Sequence, residues 1–217
     1  QVKVPFTLLT RIGAGFGSAA QHSESYYSIF SHIPGLKGVV PSDAYTAKGL
    51  LVAAIRDDDP VIYFEHKGLY GKTGAVPEES YELPLGKART VREGADITLV
   101  GISRMTWVCT EAAEELAKAG INAEVVDLLS VSPIDYDHII DSVRRTHRMV
   151  VVDEDTPICS VASDICAMVA QEAFDYLDAP PRRVTPPHTS VPYSAPLEAL
   201  FVPTVERVVE AAISTLK

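Results

Sequence analysis

The amino-acid sequence predicts an α/β protein built on parallel sheets. Strand-like and helix-like patterns alternate along nearly all of the 217 residues, and this order places helices between parallel strands. The strand segments are short and almost continuously apolar, as in Met149-Val150-Val151-Val152, which is typical of strands covered on both faces. The closing helix, from Thr204, repeats apolar residues at helical spacing, so one of its sides is expected to face a core.

The first half of the chain is predicted to contain three strands and two helices. The strands are Val4–Leu9, Leu36–Val40 and Val61–Phe64, and the helices are Ser23–His32 and Ala44–Arg56. Ser42 or Asp43 is a suitable N-cap for the second helix, since a short side-chain oxygen accepts a free backbone N–H there. Residues 67–95 have no strong period, so they are predicted to connect two domains.

The second half is predicted to form a complete α/β domain. Its predicted strands are Ile97–Gly101, Ala123–Leu129, Met149–Val152 and Arg183–Thr185. Its predicted helices are Thr106–Ala119, Asp135–Arg145, Ser160–Tyr176 and the helix from Thr204.

Composition excludes several classes of protein. With 19 Lys and Arg against 29 Asp and Glu, the net charge is −10, which disfavours binding to the phosphate backbone of a nucleic acid. The chain contains no apolar run near the ~20 residues of a membrane helix. Its three cysteines have no Cys-x-x-Cys spacing and fit a reducing cytosol. We expect Cys109, Cys159 and Cys166 to be small buried apolar residues.

A glycine-rich segment follows the first predicted strand. Gly13–Ser18 has the spacing G-x-G-x-G and not the dinucleotide fingerprint G-x-G-x-x-G. The segment is interpreted either as a dinucleotide site or as a flexible turn at the carboxyl end of a strand. A turn at that place still matters, because α/β sheets bind ligands at such ends. His22 comes just after it, beside Ser23 and Glu24. A histidine there suits proton transfer, although a surface or capping role is also open.

Two acidic clusters and one further histidine are weaker candidates. Asp57-Asp58-Asp59 lies at a helix end, where negative charge requires a cation or a basic partner unless the turn is solvated. Asp153-Glu154-Asp155 resembles a metal-binding strand end, but acids at a sheet edge or at a subunit contact are the preferred interpretation, because nothing else in the sequence points to magnesium. His188 has no second ligand nearby in the sequence and is expected to be structural. Spacing alone thus predicts a ligand at strand ends and no particular chemistry.

Several segments together carry a resemblance to a known family. They are His22-Ser23, His32–Lys37, Pro41-Ser42, Ala47–Leu51, Ala54–Ile62, Glu65–Lys67, Leu69-Tyr70, Pro84–Ala88 and Asp96–Val100. On these segments the chain resembles the beta subunit of the thiamine-diphosphate-dependent, decarboxylating component of 2-oxo-acid dehydrogenase complexes.

Within that family the chain is most similar to the acetoin dehydrogenase branch. The segments that indicate this branch are Glu65–Lys67, Cys159–Ile165, Val169–Gln171, Val184-Thr185 and Pro187–Thr189. Pyruvate and branched-chain members usually carry Asp at the position of His188 and Gly-Gly at the position of Cys159-Ser160.

The resemblance implies a fold of two units. Residues 1–80 would be the rear part of a transketolase-like pyrimidine-binding domain, residues 81–92 a linker, and residues 93–217 a transketolase C-terminal-like parallel α/β domain. The glutamate that activates the cofactor in the family lies in the front of the first domain and is not in this chain. The remaining N-terminal part of the subunit is therefore an expected partner, and we expect this polypeptide alone to be inactive.

The resemblance also implies partners and cofactors. The family forms α₂β₂ heterotetramers with thiamine diphosphate at the α–β interface, held through Mg²⁺ by the alpha subunit. A two-carbon unit passes to lipoyl groups of an acyltransferase core. The implied enzyme is an acetoin dehydrogenase, cytoplasmic, or in the mitochondrial matrix if eukaryotic. A pyruvate or branched-chain 2-oxo-acid dehydrogenase subunit and a non-catalytic assembly or docking fragment are the alternatives.

Six residues carry site roles by resemblance. His22 matches the active-site histidine of the family and would shuttle a proton. A structural potassium ion that some relatives bind would lie at Phe6, Thr7, Ala54, Asp57 and Asp59.

Overall fold

Two β-sheets organise the molecule in this computed structural model, which describes residues 3–217. The strands of the first sheet, in spatial order, are β1 (Thr7–Ile12), β3 (Val61–His66), β2 (Lys37–Val39) and β7 (Ser130–Ser132). The first three run parallel, and β7 pairs antiparallel with β2. Around this sheet lie α1 (Ala19–Ser23), α2 (Tyr27–Ser31) and α3 (Ala44–Arg56).

The second sheet contains five strands, of which only the edge strand β4 is antiparallel. In spatial order they are β4 (Arg89–Arg92), β6 (Ala123–Asp127), β5 (Ile97–Gly101), β8 (Met149–Val152) and β9 (Arg182–Val184). The helices of this half are α4 (Met105–Lys118), α5 (Tyr136–Thr146), α6 (Val161–Glu172), α7 (Ala195–Phe201) and α8 (Val205–Ser214). The predicted α/β class, with mainly parallel sheets, is confirmed.

Local sequence accounts for the best predicted helix, α3. The Asp43 side chain accepts a hydrogen bond from the Thr46 N–H at 2.7 Å, and the Thr46 hydroxyl oxygen accepts one from the Asp43 N–H at 3.0 Å. This reciprocal arrangement satisfies backbone donors that a helix start otherwise leaves free. Of the two predicted N-caps, Asp43 is the correct one.

One apolar core joins the two sheets. Ile62 and Phe64 of β3 belong to the same buried cluster as Val126 of β6 and Val151 of β8. Tyr27 of α2 packs edge-on against Phe64, with ring centroids 6.0 Å apart. Burial of this shared apolar surface is the main term that holds the two halves together.

Two predicted elements of the first half differ from the structure. The predicted helix Ser23–His32 is confirmed only where α2 lies, at Tyr27–Ser31, because an extended Glu24 (φ −68°, ψ 151°) separates α2 from α1. Glu24 instead accepts a hydrogen bond from the Val191 N–H at 3.0 Å. The first strand begins at Thr7, opposite Val61, and not at residue 4.

The short elements β4, β7 and α7 were not predicted, and neither was a 3₁₀ turn over Lys67–Leu69. β4 lies inside the predicted linker 81–92 and pairs with β6, whereas β7 comes from the second half and pairs with β2. Leu129 turns the chain between β6 and β7 with φ +57°, so the predicted strand 123–129 ends at Asp127. The predicted helix 160–176 ends at Glu172, and a 3₁₀ turn covers 174–176. The domain boundaries remain a prediction.

Exposure corrects two further expectations. A sheet covered on both faces is wrong at the edge strand β1, where Leu8 and Leu9 are 38% and 50% exposed. Because successive side chains of a strand point to opposite faces, both faces are open there. Cys109 is buried as expected, whereas Cys159 is exposed at a turn with φ +54° and Cys166 is half-buried. Between residues 3 and 217, no helix combines the length and the apolar character needed to cross a membrane.

Candidate functional site

The candidate site lies at the carboxyl edge of the first sheet. Because β1, β2 and β3 are parallel, their carboxyl ends meet at one edge, the place where α/β sheets bind ligands. The segment Gly13–Gly17, which we name the glycine loop, follows β1 and leads into α1. His22 lies in the last turn of α1 with an exposed side chain.

Lys67, just after β3, contacts the segment that carries His22. Its ammonium group donates a hydrogen bond to the His22 carbonyl oxygen and lies 5.5 Å from the centre of the Phe16 ring. Partial burial lowers the pKa of Lys67, while the carboxylates of Glu198 and Glu154 act in the opposite direction. Lys67 thus joins the end of β3 to both the glycine loop and α1.

The backbone donors of the glycine loop are bonded to carboxylates of the chain itself. Glu198 of α7 accepts from the N–H groups of Gly15 at 2.8 Å, Phe16 at 3.2 Å and Gly17 at 2.8 Å. Glu154 accepts from Ala14 at 2.6 Å. These are the donors that a phosphate would need, so the geometry does not favour a dinucleotide at this loop.

Gly13 allows the loop to pass directly over the His66 ring. A Cβ on Gly13 would lie 2.3 Å from His66 Cε1, and the residue has φ +105°. Both the contact and the backbone conformation require glycine. The glycine at this position therefore serves close packing and is not evidence for a nucleotide.

The acids Asp153-Glu154-Asp155 after β8 act as buried hydrogen-bond acceptors. Asp153 accepts from the Tyr27 hydroxyl, from Ala162 N–H at 3.2 Å and from Asp155 N–H at 2.9 Å. Burial, together with the charge of Asp153, raises the pKa of Asp155 to about 7. Asp153 thus bonds to Tyr27 of α2, and Glu154 to His66 of β3, so these acids lie at contacts within the chain.

The acidic turn after α3 has a basic partner. Lys37 Nζ lies 2.8 Å from both Asp57 oxygens and 3.1 Å from Asp59 Oδ2. Burial acts to raise the pKa of Asp57, but hydrogen bonds from Lys37 and the Asp59 N–H bring it below its usual value.

The other residues of the expected potassium site lie beside this turn. Thr7 Oγ1 donates to the Ala54 carbonyl oxygen at 2.9 Å, and the Phe6 carbonyl oxygen accepts from Val61 N–H at 2.8 Å. Oxygen atoms suited to a hard cation are thus present, but the Ala54 and Phe6 carbonyl oxygens and the carboxylates of Asp57 and Asp59 already have partners within the chain.

The described residues do not fit a diphosphate–magnesium site. The donors of the glycine loop are taken by carboxylates, and within residues 3–217 no three or more His, Cys, Asp or Glu residues are grouped so as to hold a metal ion. The nearby cavity of about 210 Å³ at the ends of β2 and β3 is lined by Pro41, Tyr63 and His66, among others, but not by His22.

The remaining candidate histidine, His188, contacts the Thr156 hydroxyl through its Nδ1 atom.

Sequence reasoning missed Glu198, Lys67 and Arg89. Glu198 belongs to the unpredicted α7 and meets the glycine loop across more than 180 residues of sequence. Arg89, in the predicted linker, bridges Asp43 at 2.6 Å and Asp127 at 3.0 Å. Such long-range pairs leave no local pattern in the sequence.

Comparison with protein families gives two matches that together cover most of the chain. The model of the transketolase pyrimidine-binding domain matches residues 1–73, and the model of the transketolase C-terminal domain matches residues 86–208. A solved structure described as a split gene transketolase, inactive beta4 tetramer, superimposes with a TM-score of 0.82 over 99% of this chain and 67% of its own, at 24% identity. That likeness supports the fold.

Curated relatives align along the whole chain. The beta subunits of acetoin:2,6-dichlorophenolindophenol oxidoreductase from Bacillus subtilis and Cupriavidus necator are each 50% identical over 100% of this chain. The mitochondrial pyruvate dehydrogenase E1 component subunit beta-2 of Oryza sativa is 43% identical over 98%. The chain spans 63%, 64% and 57% of the lengths of these three relatives, in the order given. The chain therefore belongs to the transketolase family, with residues 1–73 in its pyrimidine-binding domain and residues 86–208 in its C-terminal domain.

Proposed function

We propose that this chain forms the larger part of the beta subunit of a thiamine-diphosphate-dependent acetoin dehydrogenase-type enzyme. The observation that carries the proposal is the 50% identity, along the whole chain, to two acetoin oxidoreductase beta subunits. In this proposal the enzyme cleaves acetoin and delivers the two-carbon unit to lipoyl groups of an acyltransferase core.

His22 is proposed to be the group of this chain that moves a proton during the reaction. Its side chain is exposed at the carboxyl edge of a parallel sheet, and imidazole exchanges protons near neutral pH. The exposure also supports a site completed by another subunit, because catalysis of this kind requires a water-excluding pocket.

The proposed assembly is an α₂β₂ heterotetramer, with the remaining N-terminal part of the beta subunit packed on the first domain. The exposed Leu8 and Leu9 of the edge strand β1 support such packing, because an open apolar edge favours association. Thiamine diphosphate and Mg²⁺ are assigned mainly to the alpha subunit, since the donors of the glycine loop are already bonded to Glu198 and Glu154. The proposed compartment is the cytoplasm, or the mitochondrial matrix in a eukaryote.

A structural potassium ion at Phe6, Thr7, Ala54, Asp57 and Asp59 is a further proposal. It is supported by oxygen atoms on adjacent segments, whereas the Lys37 ammonium competes for the two carboxylates. Unfolding temperatures in KCl and NaCl at equal ionic strength test it, since a bound ion stabilises the native state.

Activity of the reconstituted enzyme tests the proposed function. The complete beta subunit, the alpha subunit, thiamine diphosphate and Mg²⁺ are combined, and reduction of 2,6-dichlorophenolindophenol is followed with acetoin as substrate. We expect turnover of acetoin, and a fall in kcat of about 10²–10⁴-fold for His22→Ala. His32→Ala, a change at another exposed histidine, serves as the control and should keep wild-type kcat. Full activity of His22→Ala would contradict the role of His22.

A substrate panel separates the proposal from its second candidate. Relatives that are pyruvate dehydrogenase beta subunits align at 42–45% identity, so pyruvate and branched-chain 2-oxo acids are tested beside acetoin. Preference for pyruvate would replace acetoin as the substrate. The 217-residue chain alone is expected to be inactive, and its turnover of any of these substrates would overturn that expectation.

A further inference from the structure

The glycine loop is bonded to the C-terminal half of the chain through four consecutive N–H groups. Those of Gly15, Phe16 and Gly17 donate to Glu198, and that of Ala14 donates to Glu154. Glu198 lies on α7 and is 4% exposed. Every donor of the loop from Ala14 to Gly17 is therefore paired with a carboxylate that is distant in sequence.

Glu198 is held in its charged form by this arrangement. Burial acts to raise its pKa, but the three backbone donors and the Lys67 ammonium lower it below the usual value for glutamate. A carboxylate that accepts several N–H groups forms charge-assisted hydrogen bonds, which are stronger than neutral ones. The contact between α7 and the loop thus depends on the charge of Glu198.

The helix that carries His22 has little stability of its own. α1 has only five residues, and its N-cap Ser18 makes no side-chain capping bond. Helices this short do not form without tertiary support. Besides its contact with β1, α1 is supported by the glycine loop at one end and, at the other, by Lys67, which donates to the His22 carbonyl.

Lys67 also couples these two supports. Its ammonium lies over the Phe16 ring at 5.5 Å, and Phe16 is a loop residue whose N–H donates to Glu198. Loss of the carboxylate would free three N–H groups of the loop at once. Because Gly15 and Phe16 are exposed, water would replace Glu198 as their partner, and the charge-assisted bonds between the loop and α7 would be lost. The expected response is movement of the loop, and with it of α1.

We propose that Glu198 is a positioning residue that fixes the glycine loop and thereby holds His22 in place for proton transfer. This inference rests on the role proposed above for His22. Glu198 thus links the C-terminal half of the chain to the candidate site without itself moving the proton.

The test compares Glu198→Gln with Glu210→Gln in the assembled enzyme. Glutamine keeps the size of the side chain but removes the charge and turns an NH₂ group toward N–H donors. Glu210 is exposed on α8, so its amide variant controls for loss of one surface charge. Hydrogen exchange is measured on peptides that cover residues 14–23 and on peptides from the core strand 149–152.

For Glu198→Gln we expect exchange of residues 14–23 to rise about tenfold, with unchanged exchange of strand 149–152, because local opening is independent of global unfolding. We expect kcat per folded enzyme to fall about 10–100-fold with KM within about twofold, since only the positioning of a catalytic group changes. Glu198→Asp, which restores the charge, should recover part of both losses. Glu210→Gln should match the wild type.

Two results would overturn the proposal. One is wild-type exchange of residues 14–23 in Glu198→Gln. The other is a uniform rise in exchange that includes strand 149–152, with wild-type kcat per folded enzyme, because a merely structural residue would behave in this way. Failure of the proposed function is distinguishable from both, since it appears as wild-type activity of His22→Ala.

Discussion

His66 and Glu154 form a buried hydrogen bond between the two halves of the chain, with Nε2 and Oε2 3.0 Å apart. The Nδ1 atom of His66 accepts from the Gly68 N–H at 3.0 Å. An imidazole nitrogen that accepts carries no proton, so this geometry assigns the proton to Nε2, which donates to Glu154. Glu154 thus accepts from His66 and from Ala14 at the same time.

Glu154→Gln is expected to destabilise the protein by about 1–3 kcal/mol, because an amide offers only one acceptor atom where two N–H donors converge. Its NH₂ group would face the Nε2–H of His66, or would force the other tautomer and leave Gly68 without an acceptor. Urea unfolding followed by circular dichroism measures the effect. Glu115→Gln, at an exposed residue paired with Lys118, is the control and should change stability by less than about 0.5 kcal/mol. Equal stability of the two variants would contradict the proton assignment.

Gly13→Ala is expected to be one of the most harmful single changes in the first domain. The added methyl group would lie 2.3 Å from the His66 ring at a residue with φ +105°. Strain and overlap together should lower the free energy of unfolding by about 3 kcal/mol or more. Gly35→Ala is a matched control, because Gly35 has φ +91° but nothing within 4 Å of the added atom. It should lose only about 1–2 kcal/mol in urea unfolding, and a similar loss for both variants would contradict the packing argument.

The fold was predictable where a local pattern decides the structure. The run 149–152 becomes β8, an inner strand between β5 and β9, and the apolar stripe after Thr204 becomes α8. The prediction failed where distant residues decide. β7 is three residues long with two serines, and it is a strand only because β2 offers it an open edge.

The candidate site was predictable only in part for the same reason. The glycine loop and His22 stand out in sequence because their residue types are unusual beside a strand. The acceptors of the loop donors, Glu154 and Glu198, were not identified as such, since a hydrogen bond across more than 130 residues has no local signal. For the acidic turn at Asp57 the sequence left a cation, a basic partner and a solvated turn as alternatives, and only the structure identifies Lys37 as the partner.

Arg89→Met is expected to destabilise the protein more at pH 8 than at pH 5. Arg89 Nε donates to the buried Asp127 at 3.0 Å, and its Nη2 lies 2.6 Å from Asp43. Burial raises the pKa of Asp127 to about 6, and the charge of Arg89 limits that rise. Without Arg89 the pKa of Asp127 should rise further. At a pH above that raised pKa, Asp127 is a buried carboxylate without its cationic partner, which is unfavourable. At a lower pH it takes up a proton and the penalty disappears.

We expect a loss for Arg89→Met of about 2–4 kcal/mol at pH 8 and a clearly smaller one at pH 5, measured by urea unfolding at both pH values. Arg144→Met is the control, since Arg144 forms an exposed pair with Asp141 and should change stability by less than about 0.5 kcal/mol. A loss for Arg89→Met that is the same at both pH values would show that Asp127 does not respond to Arg89.

Asp155→Asn is expected to stabilise the protein at pH 8 and to have little effect near pH 4. Asp155 is 4% exposed, and burial and the charge of Asp153 raise its pKa to about 7. Between about pH 4 and pH 7 the native chain keeps a proton that the unfolded chain releases, so wild-type stability falls as the pH rises through this range. Asparagine cannot ionise and still accepts the hydrogen bond from Thr156 N–H, so the variant should gain about 2–4 kcal/mol over wild type at pH 8. Urea unfolding of both proteins from pH 4 to pH 8 measures this difference, with the exposed Asp175→Asn as control. A difference that does not grow with pH would mean that Asp155 ionises in the native protein as readily as in the unfolded chain.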